Sequence, residues 1–224
     1  MEVSICGYDK MPEKVQQLGI DTCTSEAEVV RRSDYVFFAF KPQNFEETAA
    51  VLKDISFEGK VIVSIVTGIG TDHICHTLGQ SCKVVLVMPN TPLLLGCGAS
   101  ALCRNAATSE EEFSFVCSIF SSCGVIAVIP EDKMKEIIAV NGSTPGFIYL
   151  FSKGFIEKAK QNGIDEDIAM RLFCQTLIGS ARMMMESGQS IDELIRMVSS
   201  PGGTTLQGLA VYEKRGLTAI TAEA

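Results

Sequence analysis

The chain has 224 residues, 46% apolar, 21% charged and 7% aromatic, a length that allows one large domain or two small ones and excludes a disordered tail protein. Nineteen Lys and Arg against 27 Asp and Glu leave a formal charge of -8, which repels a phosphate backbone, so no nucleic-acid partner is expected. The longest apolar runs are strand-sized and far short of the ~18–20 residues of a bilayer span, so no membrane partner is expected either.

In chain order, VSICGY (3–8), YVFFAF (35–40), VIVSIV (61–66), KVVLVM (83–88), ASALC (99–103) and VIAVI (125–129) read as strands. MPEKVQQL, SEAEVVRR, QNFEETAAVLKDI and SEEEFSFVCSIFSS separate them, with apolar residues at helical spacing and Ser, Asn or Pro at several starts. Near-continuous apolar strands alternating with helices predict an α/β, Rossmann-like parallel sheet covered on both faces, over residues 1–130. After Pro130 pairs at Ile168/Ala169, Leu172/Phe173, Thr176/Leu177 and Ser180/Ala181, then Met184, recur every four positions, which predicts an all-α domain over 131–224. Its helices are expected at about 131–161, 165–187, 190–198 and 203–215. Phe147, Ile148, Leu150, Phe151, Phe155 and Ile156 make the first of these apolar around most of its circumference, so a second copy of the chain is expected to cover it.

Nine cysteines without a C-x-x-C pair, and no signal peptide at the N-terminus, read as small buried hydrophobes of a cytoplasmic protein. His73 and His76 are one helical turn apart, but no other histidine exists to complete a ligand set, so no metal is expected. In a doubly wound sheet a Gly-rich turn after the first strand meets a pyrophosphate, and an acidic residue about 20 positions later meets the ribose. Asp9 stands where that acidic residue belongs, whereas no Gly-rich turn precedes it, so the pattern opens on what reads as the second strand of such a sheet. Gly68-Ile69-Gly70 reads either as a phosphate loop of its own or as a plain turn, because His73 takes the third glycine position. Met88-Pro89-Asn90-Thr91-Pro92 is either an ordinary rigid turn or a ligand loop at the carboxyl edge of the sheet. Ser199-Ser200-Pro201-Gly202-Gly203-Thr204-Thr205 leads small residues into a helix whose first N–H groups are unpaired, an anion pocket suited to a carboxylate.

Taken together, MPNTP at 88–92, FKP at 40–42, G-S-x-P at 142–145 and SSPGGTT at 199–205 resemble the pyrroline-5-carboxylate reductases, over essentially the whole chain and in the same order. The resemblance implies reduction of 1-pyrroline-5-carboxylate, a small-molecule substrate, to proline with NADP, or with NAD. It also implies an all-helical dimerisation domain in a homodimer or larger homo-oligomer, with active sites formed between protomers. Carried over by position, it assigns Asp9, Thr24, Ala39, Phe40, Lys41, Pro42, Ile65, Thr67, Gly68 and Asn90 to the cofactor. Gly203, Thr204 and Thr205 fall to the substrate carboxylate, and Thr205 and Ser200 to catalysis. The family's first strand and Gly-rich turn have no counterpart before Met1, its C-terminal helix stops early at Ala224, and G-S-G-P-A-Y becomes Gly142-Ser143-Thr144-Pro145-Gly146-Phe147. These departures admit an incomplete sequence or a relative that has lost activity, a non-catalytic helical dimer or ligand sensor. Another dehydrogenase of similar architecture is a further alternative.

Overall fold

The computed structural model describes residues 3–224. The apolar runs of the first half form strands and the charged stretches between them form helices. In order these are β1 (Cys6–Gly7), α1 (Pro12–Gln17), β2 (Asp21–Thr22), α2 (Glu26–Arg32), β3 (Tyr35–Phe38), α3 (Phe45–Leu52), β4 (Val61–Ser64), α4 (Thr71–Leu78), β5 (Lys83–Met88), β6 (Gly98–Arg104), α5 (Glu110–Ser121) and β7 (Gly124–Val128). The main sheet has the order β3-β4-β5-β6-β7, with β3, β4 and β5 parallel and in the register Val36 to Ile62 to Val84. Two features differ from a uniformly parallel sheet. β6 runs antiparallel to β5, pairing Met88 with Ala101, because the nine residues 89–97 between them are too few for a crossover helix. β1 and β2 pair with each other in a separate parallel ribbon, and no strand among the described residues bonds both β1 and β3.

Side chains alternate between two covered faces of the main sheet. On one face Val36, Phe38, Ile62, Val84, Leu86 and Met88 pack with residues of α2, α3 and α4, among them Val30, Phe45, Leu52, Ile74 and Leu78. On the other, Val61, Val63, Val85, Val87 and Leu102 pack against Phe113, Val116 and Phe120 of α5. β6 and β7 approach closely where they begin: Gly124 has φ +144°, and a Cβ there would strike the Gly98 backbone. That pair of glycines is required by both conformation and space.

The chain divides into two compact units after Pro145. Residues 131–145, assigned from the sequence to the helical domain, pack with the first unit as short 3-10 turns, where Met134, Ile137 and Ile138 join its core. The apolar spacing that predicted a helix over 131–161 therefore serves a sheet face first, and the helix α6 spans Thr144–Gln161. The second unit continues with α7 (Glu166–Glu186), α8 (Ile191–Met197), α9 (Thr204–Lys214) and α10 (Leu217–Glu223). Asp165 caps α7, and Ser190 with Glu193 forms a capping box on α8. In this unit only Ile156 and Ala169 are buried hydrophobics, while Leu150, Leu172 and Met185 are each at least 66% exposed. Among the described residues no helix is long and apolar enough to cross a membrane.

One polar contact fixes α5 on the sheet: Lys83 on β5 donates to Glu112 at 2.6 Å, and Glu112 completes the capping box with Ser109. The lysine bond, ahead of the serine bonds, holds the Glu112 carboxyl below the usual carboxylate range. A depressed folded-state pKa stabilises above the unfolded pKa and is lost as pH falls through the folded one. Glu112→Gln should therefore lower unfolding stability at pH 7 by about 0.5–1 kcal/mol, a value reduced for partial exposure of the pair. In urea titrations at descending pH the gap to the parent should close below the ordinary glutamate range.

Candidate functional site

Parallel alignment of β3, β4 and β5 puts their carboxyl ends side by side on one edge of the sheet, where open α/β folds bind ligands. Three of the segments expected to meet a cofactor continue these strands. Ala39, Phe40, Lys41 and Pro42 follow β3: Ala39 and Lys41 are exposed, Phe40 stacks on buried Phe38 with ring centroids 5.4 Å apart, and Pro42 opens a 3-10 turn. Ile65, Thr67 and Gly68 follow β4, with the Ile65 N–H donating to the Phe38 carbonyl at 3.1 Å. Gly68 has φ +82° and open space where a Cβ would be. Asn90 follows β5 and bridges backward, its Oδ1 accepting the Ala99 N–H at 2.9 Å.

Asp9 and Thr24 stand at the corresponding ends of β1 and β2, and both have protein partners. Asp9 accepts the Met11 N–H at 2.8 Å and lies 3.8 Å from Lys14. Thr24 donates both its N–H and its hydroxyl to Glu28 at 2.7 Å, and these bonds hold the Glu28 carboxyl below its usual range. Lys10 pairs with Glu47 at 2.8 Å and so ties the loop after β1 to the first turn of α3.

Gly68-Ile69-Gly70, read either as a phosphate loop or as a plain turn, leads into α4. The N-terminus of α4, which such a loop would offer, is filled by Glu131: its Oε1 accepts the Thr71 N–H at 2.7 Å and its Oε2 the Thr71 hydroxyl at 2.8 Å. A Cβ on Gly70 would lie 3.1 Å from the same carboxylate. His73 bonds Glu46 at 3.1 Å and stacks on Phe45, and among the described residues no three His, Cys, Asp or Glu side chains gather as a metal set. Burial pushes the Cys82 and Cys103 thiols up to about 12, so both stay neutral.

Ser200, Gly203, Thr204 and Thr205 lie in the second unit. Gly202 has φ +74°, the Gly203 N–H returns to the Ser200 carbonyl at 3.0 Å, and Gly203 is the N-cap of α9 with no side-chain cap. A Cβ on Gly203 would sit 2.7 Å from the Ser200 hydroxyl oxygen and 3.1 Å from its carbonyl oxygen, so a side chain there would push the serine hydroxyl off the turn. Thr204 and Thr205 are exposed at the first turn of an eleven-residue helix, beside N–H groups that no side chain satisfies. Sequence reasoning passed over two residues: Glu131, whose only signal was an acid directly after Pro130, and Asn141, one position before the motif read from Gly142.

Parallel strands presenting three loops on one edge, where open α/β folds bind ligands, followed by a helical unit rich in uncovered apolar residues, define a dinucleotide-binding type of fold with an appended helical domain. Residues 3–68 match the family of NADP oxidoreductases, coenzyme F420-dependent, and residues 131–224 match the pyrroline-5-carboxylate reductase dimerisation family. The pyrroline-5-carboxylate reductase of Escherichia coli K12 is 32% identical over 221 residues, 97% of this chain and 82% of that protein. The one from Aquifex aeolicus is 34% identical over 211 residues, 93% of this chain and 78% of that protein. Among solved structures, the Plasmodium falciparum pyrroline carboxylate reductase with NADP bound superposes with a TM-score of 0.90 at 30% identity, covering 97% of this chain and 82% of its own. The Streptococcus pyogenes enzyme gives 0.91 at 30% identity, covering 98% and 85%. The chain belongs to the pyrroline-5-carboxylate reductase family.

The Glu131 cap is a structural element of the first unit and can be tested as one. Glu131→Ala leaves a Thr71 N–H and hydroxyl without their partner and should destabilise by about 1–3 kcal/mol. Urea unfolding followed by circular dichroism measures it, and Thr71→Ala on top of it should cost little more, because the two groups share one interaction.

Proposed function

We propose that this protein reduces 1-pyrroline-5-carboxylate to L-proline, taking a hydride from NADPH. The observation that carries the reading is the cradle at 200–205, an uncapped helix N-terminus flanked by two threonine hydroxyls, in a chain of this family. The first unit fits a dinucleotide: Ala39, Lys41 and Thr67 are exposed on the carboxyl edge and the space over Gly68 is open. Ala39, Phe40, Lys41, Pro42, Ile65, Thr67, Gly68 and Asn90 are the residues that would line it, with Asp9 and Thr24 toward the adenosine half. The N-terminus of α4 is not available to its phosphates, because Glu131 holds it.

When bound, the dinucleotide supplies the hydride. The chain's own residues bind and orient the substrate. The N–H groups of the first turn of α9 and the Thr204 hydroxyl face a carboxylate at the positive end of the helix. Thr205 Oγ1 donates to the carboxylate and stands next to the ring nitrogen, while Ser200 closes the cradle from the side of Gly203. A cyclic imine is electrophilic once its nitrogen is protonated, so positioning supplies most of what the protein must add. No separate histidine or cysteine base is required.

Two measurements test the reading. NADPH oxidation dependent on pyrroline-5-carboxylate should be seen with the purified protein; binding of both ligands without turnover overturns the assignment. Thr205→Ala removes a hydroxyl bond to a charged group, a loss of about 1.5–3 kcal/mol, and should lower kcat/KM by about 10- to 150-fold.

The second unit supports a homodimer, because Phe147, Ile148, Phe151 and Phe155 of α6 are each 42–43% exposed, and a chain this short has too few helices to cover them. Light scattering at micromolar protein should give at least twice the mass of one chain. A stable monomer overturns the assembly.

A further inference from the structure

We propose that Asn141 is a positioning residue for the reaction, holding the loop at 88–90 on the carboxyl edge of β5 through its side-chain amide. The proposal rests on the reading of that loop as part of the reductase site.

The β5–β6 ladder ends at the pair Met88 and Ala101, since the chain then turns through Pro89 and Pro92, neither of which has an N–H to give. Beyond that pair the backbone groups of Met88 and Ala99 need other partners, and two asparagines supply them. Asn141 Nδ2 donates to the Met88 carbonyl at 2.8 Å and to the Ala99 carbonyl at 2.9 Å. Asn90 Oδ1 accepts the Ala99 N–H at 2.9 Å, and Asn90 Nδ2 donates to the Asn141 carbonyl at 3.2 Å. The four bonds close a ring in which Ala99 is held at both its N–H and its carbonyl. Asn90 cannot turn without breaking bonds at Ala99 and Asn141.

A carboxamide nitrogen offers two donors to two carbonyls from one atom without bringing a charge into the buried site. The arrangement leaves a mark that simple packing would avoid. Asn141 is 8% exposed, and its Oδ1 is the one buried side-chain polar atom among the described residues without a hydrogen-bond partner. An unsatisfied acceptor is tolerated in a folded protein where another requirement fixes the side chain, and here both donors are committed to the loop. Gly142 lets the turn close down: a Cβ there would be 3.2 Å from the Ile138 carbonyl oxygen and 3.4 Å from Met88 Sδ. The position of Met88 is thus set by the turn that leads into α6.

Asn141→Asp keeps the shape and removes both donors, placing an oxygen against two carbonyl oxygens. With Asn90 among the residues read as lining the cofactor, a misplaced loop should lower kcat by about 10- to 100-fold. KM for pyrroline-5-carboxylate should change less than about 2-fold, because the carboxylate cradle is elsewhere in the chain. The primary isotope effect with 4-deuterated NADPH should rise toward its intrinsic value as hydride transfer becomes limiting. Asn141→Ser, which retains a single donor, should fall between the two and carries the test should the aspartate variant not fold. Absence of turnover in the parent protein removes the reductase reading itself. With the parent active, an unchanged kcat in either folded variant overturns the role of Asn141. So does a loss of kcat that merely follows the folded fraction, with an unaltered isotope effect, since that is the signature of a residue needed only for stability.

Discussion

Burial of β4 and β5 on both faces is the constraint from which the rest of the first unit follows. Every residue of β4 and all of β5 after Lys83 are buried, so each strand needs one layer of helices on each side and a neighbouring strand along each edge. Fully burying a Val, Ile, Leu or Phe side chain stabilises by about 1.5–3 kcal/mol, and these two strands carry most of the large fully buried side chains together with α3 and α4. With the strands fixed in a parallel bundle, their carboxyl ends are forced to a common edge. The loops that matter for chemistry converge there without any attraction between them.

Polar groups then set details that burial leaves free. The N-terminus of α4 receives the Glu131 carboxylate, and the place where β5 and β6 part receives two asparagine amides. Glu131 and Asn141 come from the chain after β7 returning across the sheet between 131 and 145, which explains why that segment belongs to the first unit in spite of its helical spacing. These bonds are individually modest, yet each satisfies a backbone group that would otherwise be buried and unpaired.

The second unit is organised on a different principle. Its helices are well begun, by Asp165 on α7 and by the Ser190 and Glu193 box on α8, but hardly anything inside it is buried. Local capping specifies where the helices start and leaves their apolar faces for an interface to claim. The turn at 200–205 is likewise local: positive φ at Gly202 and close contact between Gly203 and Ser200 shape it from the residues within it.

The alternation of strands and helices and the change to all-helical structure were legible from the apolar period, a local property of the chain, and the family from the resemblance of its short motifs, MPNTP, FKP, G-S-x-P and SSPGGTT. SSPGGTT was legible for the same reason: the atoms that shape it are its own. Tertiary structure alone decided the pairing of β1 with β2 apart from the main sheet and the assignment of 131–145 to the sheet. It also decided that Gly68-Ile69-Gly70 leads into a helix end already filled, because Glu131 lies sixty positions from Thr71 and no local pattern links them. Asn141 was invisible for that reason too. Its partners Met88 and Ala99 are 53 and 42 positions away, and a hydrogen bond across such a separation exists only once burial has brought the strands together.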